Sequence, residues 1–176
     1  MKTVHAQVGN TGYYSLDQCI YSSIAQQNEI DNFPGSDYIV DSSKNLQDPD
    51  LNKDNIILNL HKLFKYCINP IFRKFNRNGL SLTSVYRNKA VNKLLEGVKN
   101  SQHIYGHAAD IVLTDGTNSS ELFNWCRINI PQYHQLIWEC PEKEAYKDGY
   151  NNLPEYSWIH ISYIKGNNSK TNSVSS

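Results

Sequence analysis

His103, Asp110 and His160 are side chains whose types could hold a zinc ion in this sequence. Without thiolate pairs, zinc takes imidazole nitrogen and carboxylate oxygen. A catalytic site uses three protein ligands and leaves one position for water. His103 and Asp110 lie in the segment SQHIYGHAAD (101–110), where a polar loop runs into an apolar stretch. Asp110 sits between apolar neighbours in AADIVL (108–113), and a carboxylate there needs a partner, which a metal would supply. His160 lies in WIHISYI (158–164), again a polar side chain in an apolar run. Strand alternation puts Trp158, His160 and Ser162 on one face and Ile159, Ile161 and Tyr163 on the other. Aromatic ring and imidazole then point the same way, as a substrate pocket requires.

Water held at such a site needs a general base, and Glu139 at the end of QLIWE (135–139) is the candidate. Arg87 in SVYRN could hold a carboxylate or a developing oxyanion with its planar fork. His107 stands four residues after His103, the spacing of helical zinc ligands. However, no glutamate follows His103, and Gly106 argues against a helix, so His107 is not taken as a ligand. Each residue alone has a plainer reading. His103 would be a solvated loop histidine, Asp110 a turn or cap carboxylate, His160 a hydrogen-bonded core histidine, and Glu139 and Arg87 surface charges. Only the fold decides whether they meet.

The elements that must position them are legible in part. Ser15 and Gln18 form a capping-box pattern at the head of a helix over residues 15–30, which Pro34 and Gly35 stop. Residues 53–69 carry a 3.6-residue apolar stripe through Ile56, Ile57, Leu60, Leu63, Phe64, Cys67 and Ile68, with Pro70 ending or kinking it. LSLTSVY (80–86) reads as a strand after the Asn78-Gly79 turn. KAVNKLLEGV (89–98) reads as a helix with Ala90, Val91, Leu94 and Leu95 inward. AADIVL is a strand closed by Asp115-Gly116, SSELFNWCRI (119–128) a helix, and QLIWE and WIHISYI are strands. Residues 141–156 are a polar connector. The divisions are an N-terminal arm over 1–14, one domain over 15–164, and a tail over 165–176 expected to be disordered. Helices come mostly first and strands mostly later, which predicts a single α+β domain with helices packed on a small, largely antiparallel sheet.

The chain of 176 residues can bury a core without staples. Lys plus Arg (17) equals Asp plus Glu (17), which argues against nucleic acid and gives no reason to expect a membrane partner. Cys19, Cys67, Cys126 and Cys140 are too scattered for a thiolate zinc site and read as free thiols. The N-terminal residues hold no apolar signal-peptide core, so synthesis in the cytoplasm without a signal is the expectation.

Together these residues resemble the zinc D-Ala-D-Ala carboxypeptidase family, which also holds D-Ala-D-Ala dipeptidases and phage endolysin endopeptidases. The family motif Ser-x-His-x-x-Gly-x-Ala-x-Asp is matched by Ser101, His103, Gly106, Ala108 and Asp110, and its distal Trp-x-His by Trp158 and His160. Its Tyr-Arg pair is matched by Tyr86 and Arg87, and a QLI-x-E strand by Gln135 to Glu139. The resemblance implies a hedgehog/D-Ala-D-Ala peptidase-like fold, zinc on His103, Asp110 and His160, and substrate contacts from Arg87, Ser101 and Trp158. In some members the basic glutamate stands three residues before the last histidine, where this chain has Ser157; Glu139 is therefore the candidate. Relatives often carry Asp before QLI, where this chain has His134.

The expectation is a zinc peptidase cutting an amide bond in peptidoglycan stem peptides, phage-encoded and acting on the wall after release or within a virion. Two rivals stand beside it. One is a non-catalytic virion or wall-binding protein that keeps the fold and contacts other virion proteins. The other is a cytoplasmic dipeptidase acting on free D-Ala-D-Ala.

Overall fold

A computed structural model describes residues 14–36, 49–75, 79–114, 119–139, 157–166 and 171–175. The N-terminal arm, the Asp115-Gly116 turn, Asn78, Cys140 and the connector over 141–156 lie essentially outside the described residues.

The expected first helix is two short ones, α1 (Leu16–Ile20) and α2 (Ser23–Gln27). The Ser15–Gln18 capping box forms as read, with reciprocal side-chain bonds. The break follows from Ser22, whose hydroxyl accepts the Ala25 amide and so caps a new helix rather than extending the old one. The apolar stripe forms α3 (Lys53–Leu63), a π-helical turn (Phe64–Ile68) and α4 (Asn69–Phe75). Pro70 neither ends nor sharply breaks this run. Proline lacks an N–H, and the wide turn before it, where the Asn69 amide reaches Phe64 O, absorbs the irregularity.

Five strands make one sheet: β1 (Leu80–Ser84), β2 (Ala108–Leu113), β3 (Gln135–Glu139), β4 (Trp158–Ser162) and β5 (Thr171–Ser175), in the order β1-β2-β4-β3-β5. The first three pairings are antiparallel, and β5 runs parallel to β3. Thr171–Ser175 lie within the 165–176 tail and pair with β3 as its edge strand. Strand addition at an edge is driven by main-chain hydrogen bonds, and a polar sequence without apolar alternation gives no signal for it. Between β1 and β2 come α5 (Lys89–Leu94) and a 3-10 turn (Gln102–Tyr105); α6 (Ser119–Asn129) follows β2 and packs on β3 and β4.

The sheet has two unlike faces. Leu80, Ala109, Ile111, Leu136, Trp138, Ile159 and Ile161 are buried with the helices in one core. Period-two alternation puts Asp110, Ile137, Glu139, Trp158 and His160 on the opposite face. The α5 segment departs from its expected packing. Val91 and Asn92 are buried, while Leu94 and Leu95 are 50% and 42% exposed. Asn92 turns inward to donate to the carbonyls of Gly97 and Val98, which rotates the inner face away from the leucines. Cys19, Cys67 and Cys126 are buried free thiols. Among the described residues no helix is long and apolar enough to cross a membrane.

Candidate active site

The register of three strands assembles the site. Asp110 on β2 lies opposite His160 on β4, and His160 lies opposite Ile137 on β3, with Glu139 facing Trp158. Directly opposed residues share a face, so the two ligand candidates meet although about fifty residues separate them. His103 reaches the same spot from the 3-10 turn. That turn ends on Gly106 with φ +70°, and a Cβ there would stand 2.8 Å from Ile56 O. The motif glycine thus serves both a left-handed cap and a close approach to α3.

His103 Nε2, Asp110 Oδ1 and His160 Nδ1 form a small triangle. Its sides are 3.3 Å (His103–His160), 3.3 Å (His103–Asp110) and 3.0 Å (His160–Asp110). Ligand atoms about 2.0–2.1 Å from a tetrahedral centre stand roughly 3.3 Å apart, so the triangle has the size a single ion requires. The chemistry of the three atoms agrees. His103 Nδ1–H donates to Val85 O at 2.7 Å, which leaves Nε2 as a lone pair. Burial lowers the His103 pKa, against the opposing pull of Asp110, so the ring is neutral at neutral pH. Burial alone would raise the Asp110 carboxyl, but the two imidazoles hold it well below the usual carboxylate range. Two imidazole nitrogens and a carboxylate oxygen converging this closely are a donor set that a cation would fit.

A cleft of about 560 Å³ opens on this triangle, lined among others by Arg87, Ser101, Glu139 and Trp158. Glu139 is pushed up chiefly by burial and by Asp110, opposed by His160, Arg87 and a hydrogen bond from Trp158. Burial lowers Arg87, with Asp110 and Glu139 pulling the other way. Its backbone is fixed on both sides: Tyr86 N–H donates to Cys19 O, Arg87 N–H to His103 O, and Asn88 N–H to Asn32 Oδ1. Arg87 Nε is buried and has no hydrogen-bond partner among the described residues.

A family model described as Peptidase M15 matches residues 46–138, more than half of the chain. The chain belongs to the peptidase M15 family. No curated protein matches it. The matched span carries Arg87, Ser101, His103 and Asp110 and stops just before Glu139; His160 of this M15 chain lies beyond it, and the β2–β4 register brings it to the triangle. The family assignment makes the chain a peptidase, and its possible metal set is His103, Asp110 and His160.

Other residues fall away from the site. Ser157 is buried, and its hydroxyl bonds Ser119 Oγ at 3.0 Å instead of lining the cleft. His107 stands just before β2, near the Tyr105 ring, and is not in the triangle. Sequence reasoning missed the Val85 carbonyl and Gln102, whose Oε1 stands 3.3 Å from His160 Nε2. A backbone carbonyl leaves no trace in a sequence. Gln102 was visible only as the unassigned position between Ser101 and His103.

Proposed function

We propose that this M15 peptidase is a zinc enzyme that hydrolyses an amide bond in peptidoglycan stem peptides. The observation that carries the metal reading is the 3.0–3.3 Å triangle of His103 Nε2, Asp110 Oδ1 and His160 Nδ1 at the wall of a cleft. The substrate class rests on the likeness of the Ser101–Asp110 motif and of Trp158 and His160 to peptidases of that substrate. Zinc bound by two imidazoles and a carboxylate supplies Lewis-acid chemistry, acidifying water to a pKa of roughly 7 and polarising a carbonyl.

The chain's own groups complete the reaction. Glu139, its pKa raised by burial, accepts a proton from the attacking water. The water oxygen bonds the carbonyl carbon, the C–N bond breaks, and Glu139 passes the proton to the leaving amine. Arg87 holds a substrate carboxylate or the developing oxyanion, and its buried Nε–H, without a partner among the described residues, is the donor that such a group would satisfy. Ser101 and Trp158 contact the peptide from the cleft walls. A second hollow of about 290 Å³ also has Arg87 and Leu95 in its lining. The same reading places the enzyme's action at the cell wall, after release from a phage-infected cell or on a virion.

The test is digestion of purified peptidoglycan with and without chelator, followed by mass analysis. Chelator-sensitive release of peptide fragments, abolished by His103→Ala, is expected. Intact stem peptides from a zinc-loaded, folded protein would overturn the reading and favour the wall-binding alternative.

A further inference from the structure

The two histidines of the triangle are oriented by different means. His103 Nδ1–H is held by the Val85 carbonyl, which can only accept, so its tautomer is fixed by the backbone. His160 Nε2 instead faces Gln102 Oε1 at 3.3 Å, and an amide can turn and offer its NH2 group. The other end of that amide is engaged: Gln102 Nε2 stands 3.0 Å from His134 Nδ1. The His134 backbone is pinned in turn, its N–H donating to Ser162 O at 2.7 Å.

The amide couples the two rings. With Oε1 on His160, that ring carries its proton on Nε2 and leaves Nδ1 bare toward Asp110 and His103; the NH2 group then needs a bare Nδ1 on His134. With the amide reversed, the proton of His160 moves to Nδ1, into the space between the three ligand atoms, and His134 must donate from Nδ1.

We propose that Gln102 and His134 act as a positioning relay that holds His160 with Nδ1 free to bind metal. The inference rests on the metal reading above. It also gives a role to His134, whose ring borders the Gln102 amide. Asp Oδ1 and His Nδ1 lie equally far along the side chain, and each can accept from the Gln102 amide.

The test uses Gln102→Leu, His134→Ala and His134→Asp in the full chain, with thermal melts to check folding. Two quantities are read: zinc affinity by chelator competition, and the ¹⁵N shifts of the His160 ring in zinc-free protein. The wild type is expected to carry the His160 proton on Nε2 even without zinc. Gln102→Leu should move it to Nδ1 and weaken zinc binding roughly 10–100-fold, the usual effect of losing a group that orients a metal ligand. His134→Ala should weaken zinc in the same direction but less, and His134→Asp should restore wild-type affinity and tautomer. The relay is overturned if folded Gln102→Leu keeps both affinity and tautomer, if the wild-type ring is already Nδ1-protonated, or if His134→Asp loses as much as His134→Ala. Should Gln102→Leu fail to fold, the His134 pair decides. A wild type that takes no zinc refutes the metal reading alone, because the zinc-free tautomers still test the relay.

Discussion

At the scale of single residues, the triangle can be told from an ordinary buried ion pair by its response to Asp110→Asn. Breaking a structural buried pair by removing one partner costs about 3–5 kcal/mol. Here an amide of the same shape could take the place of the carboxylate and still hydrogen-bond the two imidazole nitrogens that face it. At pH 8 the zinc-free Asp110→Asn protein should therefore lose no more than about 1 kcal/mol of stability by denaturant titration, while losing zinc binding. A loss in the ion-pair range would mean that the cluster holds itself together without metal. Glu139 supplies a second expectation. Its pKa is raised by burial and by Asp110, so the acidic limb of kcat/KM should lie above the ordinary glutamate value. The Trp158 hydrogen bond lowers that pKa, so Trp158→Phe should move the limb to still higher pH, and Glu139→Gln should reduce kcat by roughly 10²–10⁴-fold. A limb that stays put in Trp158→Phe would detach Glu139 from the base role.

At the scale of elements, what the sequence shows depends on how local the signal is. The alternation in WIHISYI sufficed to put His160 on one face with Trp158 and Ser162, and Asp110 stood out in AADIVL as a carboxylate among apolar neighbours; the structure pairs the two directly. The α1–α2 break and the inward turn of Asn92 were invisible, because each comes from a side chain that bonds a neighbouring backbone group and overrides the apolar spacing. Gly106 links element to site. Its positive φ and the 2.8 Å approach to Ile56 O leave no place for a methyl group. Gly106→Ala should cost about 1–3 kcal/mol from backbone strain, with more from the clash. Because the same turn carries His103, zinc affinity should fall along with the denaturation midpoint. A stability loss with unchanged affinity would show that β2 and β4 alone set the metal geometry.

At the scale of the whole molecule, the sheet order β1-β2-β4-β3-β5 is what composition and periodicity could not give. β4 is inserted between β2 and β3, so His160 reaches Asp110 across a long loop closure, whose entropic cost the fold must meet. The family match covers His103 and Asp110 but ends before the third candidate ligand, His160, which residue type, strand context and the distal Trp-x-His resemblance had put forward. The three candidate ligands bring the 3-10 turn, the second strand and the fourth strand to one point. An ion there binds the folded chain and not an unfolded one, so it should stabilise the molecule as a unit. At free zinc a thousandfold above Kd the gain is about 4.1 kcal/mol. For a chain of this size each kcal/mol raises Tm by about 2–4 °C, so zinc should raise the melting temperature by roughly 8–16 °C. The shift should vanish with chelator and in Asp110→Asn. It should also weaken as pH falls below the histidine range: His103 must stay unprotonated to bind, and its lowered pKa extends that competence below the ordinary value. Calorimetric scans with and without zinc, at pH 8 and pH 5, measure all of this. Equal zinc shifts in wild type and Asp110→Asn would place the ion elsewhere in the chain.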